Sequence, residues 1–190
     1  MLKLSTKRMH LQPIKKEHFE AFYKNLVLDN RTMEFWHHYQ QPLSDEERRD
    51  MAQRDFFDHF DNSYRRHGYK TWALFLKEEP ENLIGWCGLW ASKLNGYGPE
   101  IAYMLSSKVH RQGLAVEAAR IVITHALKAY AVTQFHAIID APNRASCRVA
   151  EKLGFTYRGL LSGYSKHEMV LYRLEDCSLF TTEVLELRRV

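Results

Sequence analysis

The sequence predicts one α/β (α+β) domain over residues 1–190, and three observations carry the prediction. Apolar residues recur at three- and four-residue spacing before Gly68, then change to short apolar runs after it. Three of those runs follow one another between Thr71 and Leu105, which reads as a meander of antiparallel strands. The segment Leu114 to Tyr130 is helical in pattern and apolar around most of its circumference, so it needs a sheet to cover it. A chain of 190 residues suits one domain with a sizeable core.

Met9 to Ile14 is the first expected strand, with Pro13 at its end or at a bulge. Lys16 to Leu28 is expected as a helix, from the spacing of Phe19, Phe22, Tyr23 and Leu26. Ser44 and Glu47 form a capping box that opens a second helix, running to about Arg66 with Met51, Phe56 and Phe60 as its stripe. Gly68 is placed to end it. Thr71–Leu76 and Leu83–Trp90 make a hairpin around the polar turn Glu78 to Asn82, and Glu100–Leu105 adds a third strand. After the helix Leu114–Tyr130 come a buried strand, Phe135–Ile139, and a short helix, Arg144–Leu153, stopped by Gly154. Phe155–Tyr157 and Glu168–Leu174 close the sheet. The tail from Cys177 to Val190 reads equally as a terminal strand or a frayed end.

Composition narrows the function classes. No apolar run approaches the roughly 20 residues that span a bilayer, and Met1 to His10 lacks an apolar secretory core, so a cytoplasmic protein with no membrane contact is expected. Three widely spaced cysteines, Cys87, Cys147 and Cys177, fit reduced thiols better than a disulfide framework or zinc site. The net charge of +4 suits an acidic ligand, contact with the ribosome, or an ordinary solvated surface. No basic stripe with interleaved aromatics supports direct nucleic-acid binding. His37-His38 reads as a solvated pair, and no metal site is expected.

Two constellations point to chemistry. His110-Arg111-Gln112-Gly113-Leu114-Ala115 lies between a strand and a helix. A helix N-terminus offers unpaired N–H groups and a positive dipole end that suit a pyrophosphate. Gly113 lets the backbone approach such a ligand closely. About 30 residues on, Asn143-Arg144-Ala145-Ser146 stands where another strand gives way to a helix, and Asn143 is a natural N-cap.

With Leu83-Ile84-Gly85-Trp86-Cys87-Gly88-Leu89, Glu100 to Leu105 running into Arg111 to Ala118, and Asn143 to Phe155, the sequence resembles the GNAT superfamily of N-acetyltransferases. It looks most like the branch of the RimJ and RimL ribosomal-protein N-terminal acetyltransferases. The resemblance implies a mixed, mostly antiparallel twisted sheet of about seven strands with helices on both faces. It implies acetyl-CoA as cosubstrate, with backbone amides of Arg111, Gln112, Gly113, Leu114 and Ala115 around the pyrophosphate. Met104 and Leu105 would pair with the pantetheine arm where their strand splays from its neighbour. Asn143 would hydrogen-bond the pantetheine, with Ser146 near the sulfur. Acceptor pockets in this family are built from segments matching Asn30–Tyr69 and Leu161–His167.

The chain departs from the family pattern at three places. His110 replaces the usual Gln or Arg, Ala150 stands where many members carry a tyrosine acid, and Ser165 stands at the RimL-type glutamate base. Ser146 is therefore the expected proton donor to the thiolate, with Tyr164 behind it. Glu100 and Glu168 are the candidate bases, and strand alternation favours Glu100, because Ile101 and Tyr103 would claim the core face. The expected acceptor is a primary amine, a protein N-terminal α-amine of the ribosomal type. The alternatives are a small-molecule amine, such as a polyamine, an antibiotic or an amino acid analogue, or a catalytically silent CoA-binding module. A monomer or homodimer is expected.

Overall fold

Alternating burial along Thr71–Leu76 sets the architecture: Trp72 and Leu74 enter one apolar core, Ala73 and Phe75 a second core on the opposite face of the sheet. The structure, a computed structural model, describes residues 2–61, 68–94, 96–181 and 187–189. Its strands are β1 (Leu2–Ser5), β2 (Met9–Pro13), β3 (Thr71–Leu76), β4 (Leu83–Trp90), β5 (Glu100–Leu105), β6 (Phe135–Asp140), β7 (Thr156–Leu161), β8 (Met169–Leu174) and β9 (Leu187–Arg189). They form one sheet in the order β7-β8-β6-β5-β4-β3-β2-β1-β9. Every neighbouring pair is antiparallel except β5 and β6.

Seven of these strands are the expected ones. Of the other two, β1 was not expected and β9 falls in the tail read as either a terminal strand or a frayed end; they pair with each other at the sheet's edge. Both are short, four and three residues, below the length at which an apolar pattern stands out.

The helices are α1 (Phe19–Phe22), α2 (Asp45–Phe56), α3 (Leu114–Ala129), α4 (Arg144–Lys152) and α5 (Ser178–Thr181). The first helix departs from the continuous one expected. A 3₁₀ turn, Lys16–His18, precedes α1, and a π turn, Tyr23–Val27, follows it. Phe22, Leu26 and Val27 are fully buried along this stretch. At α2 the capping box is present: Ser44 Oγ accepts from Glu47 N–H at 3.2 Å, and Glu47 Oε2 accepts from Ser44 N–H at 2.8 Å. This α-helix ends at Phe56, earlier than expected, in a π turn over Phe57–Asp61 that keeps Phe60 buried against Phe56 and Trp86. The charged end Arg65-Arg66-His67 lies outside the described residues.

α1 and α2 cover one face, over Phe75, Leu83, Trp86 and Met104. α3 and α4 cover the other, over Leu74, Cys87, Ile101 and Ala137. Across β4 the register shifts between its pairings Leu74↔Gly85 and Phe75↔Leu83, so Ile84 bulges. The bulge puts Leu83 with Trp86 in one core and Ile84 with Cys87 in the other.

Candidate active site

β5 and β6 are joined at one register pair, Glu100↔His136, and then separate. β5 stays with β4 up to Gly85↔Leu105, and β6 stays with β8 up to Asp140↔Met169. A V-shaped cleft opens between them. Along it the backbone of β5 from Ala102 to Leu105 has no ladder to β6, so its polar groups are available to an extended ligand. Met104 and Leu105 lie there, as expected.

The loop after β5 turns at the cleft's open end into the start of α3. Arg111 adopts φ 63° and Gly113 φ 76°, both left-handed, immediately before α3 begins at Leu114. Left-handed residues in such a loop turn successive N–H groups toward one side, a nest, and the start of a 16-residue helix adds its dipole. Gly113 takes this conformation without strain, whereas Arg111 is held in it. The sequence carries no sign of the strained Arg111.

Two side chains hold the loop. Arg8 donates from Nη1 to the Gln112 carbonyl at 2.8 Å and from Nε to Glu117 in α3 at 2.8 Å. His110 donates from Nε2 to the Leu105 carbonyl at 2.9 Å, so this histidine closes the loop on the strand that feeds it. Leu114 is buried in the core, and Ala115 is half-buried against it. Arg111 and Gln112 expose their side chains, leaving backbone as the loop's inner surface. Such a loop fits a pyrophosphate.

Facing the cleft from the other side is the start of α4. Asn143 is its N-cap, accepting from Ser146 N–H through Oδ1 at 3.0 Å. The carboxamide N–H₂ of Asn143 is the part left for a ligand. Ser146 is half-buried, and its hydroxyl makes no hydrogen bond among the described residues. Tyr103 reaches across from β5 and donates its O–H to the Ser146 carbonyl at 3.3 Å. Burial raises the Tyr103 phenol well above its ordinary value, keeping it protonated. Its place in the cleft was not anticipated. Ala150 is buried in the core and offers no chemistry.

Glu100 sits at the apex of the V, on the face shared with Ala102 and Met104, under α1 and α2. Its side chain is 14% exposed. Burial raises its pKa from 4.5 to about 7, against a smaller lowering by Lys93. His136 Nε2 stands 3.9 Å from Glu100 Oε2. The pair is not ionic: His136 Nδ1 must carry hydrogen to bond the Gly98 carbonyl at 2.8 Å, and burial lowers its pKa, so Nε2 presents a lone pair. Tyr164 is half-buried, and its pKa is raised by burial and then by the Glu100 carboxylate. Glu168 is exposed, as is Ser165, which accepts from His167 N–H at 2.9 Å.

Aromatic rings line this face. Trp86 stacks on Trp90 at 5.5 Å and meets Trp36 and Phe60 edge-on at 6.2 and 5.2 Å. Trp72 lies on the opposite face, against His125. The two adjacent histidines are partly solvated, but each is held: His37 Nε2 is 2.8 Å from Asp140 Oδ1, and His38 Nε2 is 2.7 Å from Asp55 Oδ2. Each finds a carboxylate far away in sequence, a partnership that adjacency cannot reveal. Cys87, Cys147 and Cys177 are free thiols.

Residues 8–156 match the family model described as the acetyltransferase (GNAT) domain. The chain belongs to the GNAT acetyltransferases. The fold agrees. A structure described as a putative GNAT-family acetyltransferase from Bordetella pertussis superposes with TM-score 0.69, at 20% identity over 90% of this chain and 98% of that one. RimL, described as the ribosomal L7/L12 alpha-N-protein acetyltransferase in complex with coenzyme A, gives 0.70 at 20% identity over 91% and 97%. The ribosomal-protein-S5-alanine acetyltransferase from Vibrio fischeri gives 0.68 at 18% identity over 91% and 96%. In sequence, the chain is 32% identical over 101 residues to the uncharacterized protein YkkB of Bacillus subtilis (strain 168), covering 53% of this chain and 58% of that protein. This GNAT enzyme is thus an acyltransferase of a family that uses acetyl-CoA. None of its described helices is long and apolar enough to cross a membrane.

Proposed function

We propose that the 190 residues act as one cytoplasmic domain that transfers acetyl from acetyl-CoA to a primary amine, the α-amine of a protein N-terminus of the ribosomal type. The observation that carries the reading is Glu100, a carboxylate with a pKa of about 7 at the apex of the cleft, on the aromatic face. An α-amine has a pKa near 8 and is largely protonated at neutral pH, so it must lose a proton before it attacks a thioester. Ionised Glu100 takes that proton, directly or through one water. The amine nitrogen then bonds to the acetyl carbon and the carbon–sulfur bond breaks; Ser146 gives a proton to the departing thiolate and regains one from the proton that the nitrogen sheds, directly or through water. No covalent enzyme intermediate is needed.

In this reading the loop Arg111 to Ala115 holds the pyrophosphate, the free edge at Met104 and Leu105 pairs with the pantetheine, and Asn143 adds a hydrogen bond. The fold shared with RimL and with the S5-alanine acetyltransferase supports a peptide acceptor. Thiol release from acetyl-CoA, measured with peptides of varied first residue beside polyamines, amino sugars and amino acid analogues, tests it. Selective turnover of peptides bears the proposal out. Turnover of the small amines alone moves the acceptor to that class, and acetyl-CoA binding without turnover makes the chain a silent module.

A further inference from the structure

We propose that His37, Asp140 and His167 form a binding site for one divalent transition-metal ion, of the zinc, cobalt or nickel class, beside the acceptor face of the cleft. The inference uses none of the residues assigned to acetyl-CoA or to proton transfer, although His37 and His167 lie in the segments expected to build the acceptor pocket. The three side chains come from three segments: His37 from the turn His37–Tyr39 between α1 and α2, Asp140 from the end of β6, and His167 from the turn between β7 and β8. One donor atom from each lies within 4.8 Å of the other two.

The spacing of the donor atoms is close to what an ion requires, but an imidazole binds in its ring plane, so one of the two stacked rings must turn out of the stack for both to hold one ion. A tetrahedral ion held at about 2.0–2.2 Å by imidazole nitrogen and carboxylate oxygen puts its ligand atoms about 3.3 Å apart. His37 Nε2 and Asp140 Oδ1 are already 2.8 Å apart. The His37 and His167 rings lie nearly parallel, 19° between planes, with centroids 3.4 Å apart. A hydrogen bond to Asp140 accounts for His37 but leaves His167 unexplained. Its ring makes no hydrogen bond among the described residues, yet it is placed against His37 rather than pointing into solvent. Two imidazoles and a carboxylate also match the preference of this ion class, which takes nitrogen and oxygen donors together.

The surroundings suit an exchangeable ion. Asp140 is 10% and His37 35% exposed in their side chains, so the carboxylate is fixed while solvent reaches the histidines. Three protein ligands leave a fourth position for water. The ion would tie the α1–α2 segment and the β7–β8 turn to β6, and binding would release the proton that His37 shares with Asp140.

Cobalt(II) chloride titrated into metal-free full-length protein tests the site. We expect visible d–d absorption that saturates at about one ion per chain and is erased by zinc. His167→Ala, at an exposed turn, should weaken cobalt affinity by about a hundredfold, no less than loss of an outer-shell partner does elsewhere. Asp140→Asn should do the same, with circular dichroism and coenzyme A-induced thermal stabilisation of both variants reporting that the fold is kept. Absence of saturable binding overturns the proposal. So does equal binding in wild type and His167→Ala, or a thiolate charge-transfer band, which would put the ion on a cysteine such as Cys177. None of these readouts depends on turnover, so the outcome is independent of whether the acceptor is a peptide.

Discussion

Replacing Glu100 with glutamine should make the protein more stable and less active, and the two effects have one cause. Burial raises the folded-state pKa to about 7, above the ordinary 4.5. For a carboxylate shifted in this direction the folded state binds more protons than the unfolded state between those pH values, so stability falls as pH rises through them. The penalty is absent below about pH 4.5, grows through the interval and is complete above pH 7. A shift of this size amounts to about 3 kcal/mol, and at 14% exposure little solvent screening reduces it. Glutamine has the shape of the neutral acid and carries no such penalty. Glu100→Gln should therefore unfold about 6–12 °C higher than wild type at pH 8.5 and within a degree or two of it at pH 4.5. Scanning calorimetry at both pH values measures this. In parallel, kcat/KM against pH for an amine acceptor should show an acidic limb near pH 7 in wild type that vanishes in the variant, with activity lowered about 10²–10⁴-fold. A stability gain of equal size at both pH values would refute the burial argument. Wild-type activity in Glu100→Gln would refute the base.

Acetyl-CoA should bind with micromolar affinity, about −8 kcal/mol. Gly113→Val should weaken that tenfold or more by calorimetry, because a β-branched residue at φ 76° strains the loop and crowds its inner surface; unchanged affinity would remove this loop from the site. Ser146→Ala should lower kcat about ten- to a thousandfold while sparing CoA affinity; wild-type turnover would pass the proton-donor role to Tyr103, which already bonds the Ser146 carbonyl. Asp29 has a pKa of about 2: burial would raise it, but hydrogen bonds from Ser107, Thr32 and the Arg31 amide outweigh that. Its folded pKa is depressed, so its contribution is full above pH 5 and fades as pH falls toward 2. The shift sets a ceiling of about 2 kcal/mol, which partial exposure reduces to about 1. Urea unfolding of wild type and Asp29→Asn should therefore differ by that amount at pH 7 and converge toward pH 2.5.

The sequence was legible wherever one segment contains the whole signal. The Ser44–Glu47 box, the N-cap at Asn143 and the face of Glu100 each depend on neighbours within four residues, and each is present. Features that need two distant segments were not legible. Arg8 reaches the loop before α3 because β2 runs beside β3 and Arg8 precedes β2, and no local pattern in residues 1–10 encodes Glu117 as its partner. His37 and His167 are 130 positions apart in a chain whose β7–β8 turn has no periodicity to fix its path. The left-handed Arg111 is likewise invisible, because arginine has no preference for that region and is placed there by its neighbours.

The apex of the cleft also explains why the pKa of Glu100 is raised. Parallel strands that separate must share a last point of contact, and here that point is held by His136, which donates its N–H to Pro99 at 3.2 Å and its ring Nδ1–H to Gly98 at 2.8 Å. Gly98 permits the approach: a Cβ there would lie 2.0 Å from the Gln134 carbonyl oxygen. The same closeness puts Glu100 between Trp90 on β4 and His136 on β6, out of water. A carboxylate farther along β5, where the V is wide, would face solvent or ligand and keep an ordinary pKa. The tight closure that forces the strands apart beyond it thus also desolvates Glu100. Widening it with Gly98→Ala should lower the pKa governing the acidic limb of kcat/KM. An unmoved limb in a folded Gly98→Ala protein would mean that Glu100 owes its basicity to something other than the apex.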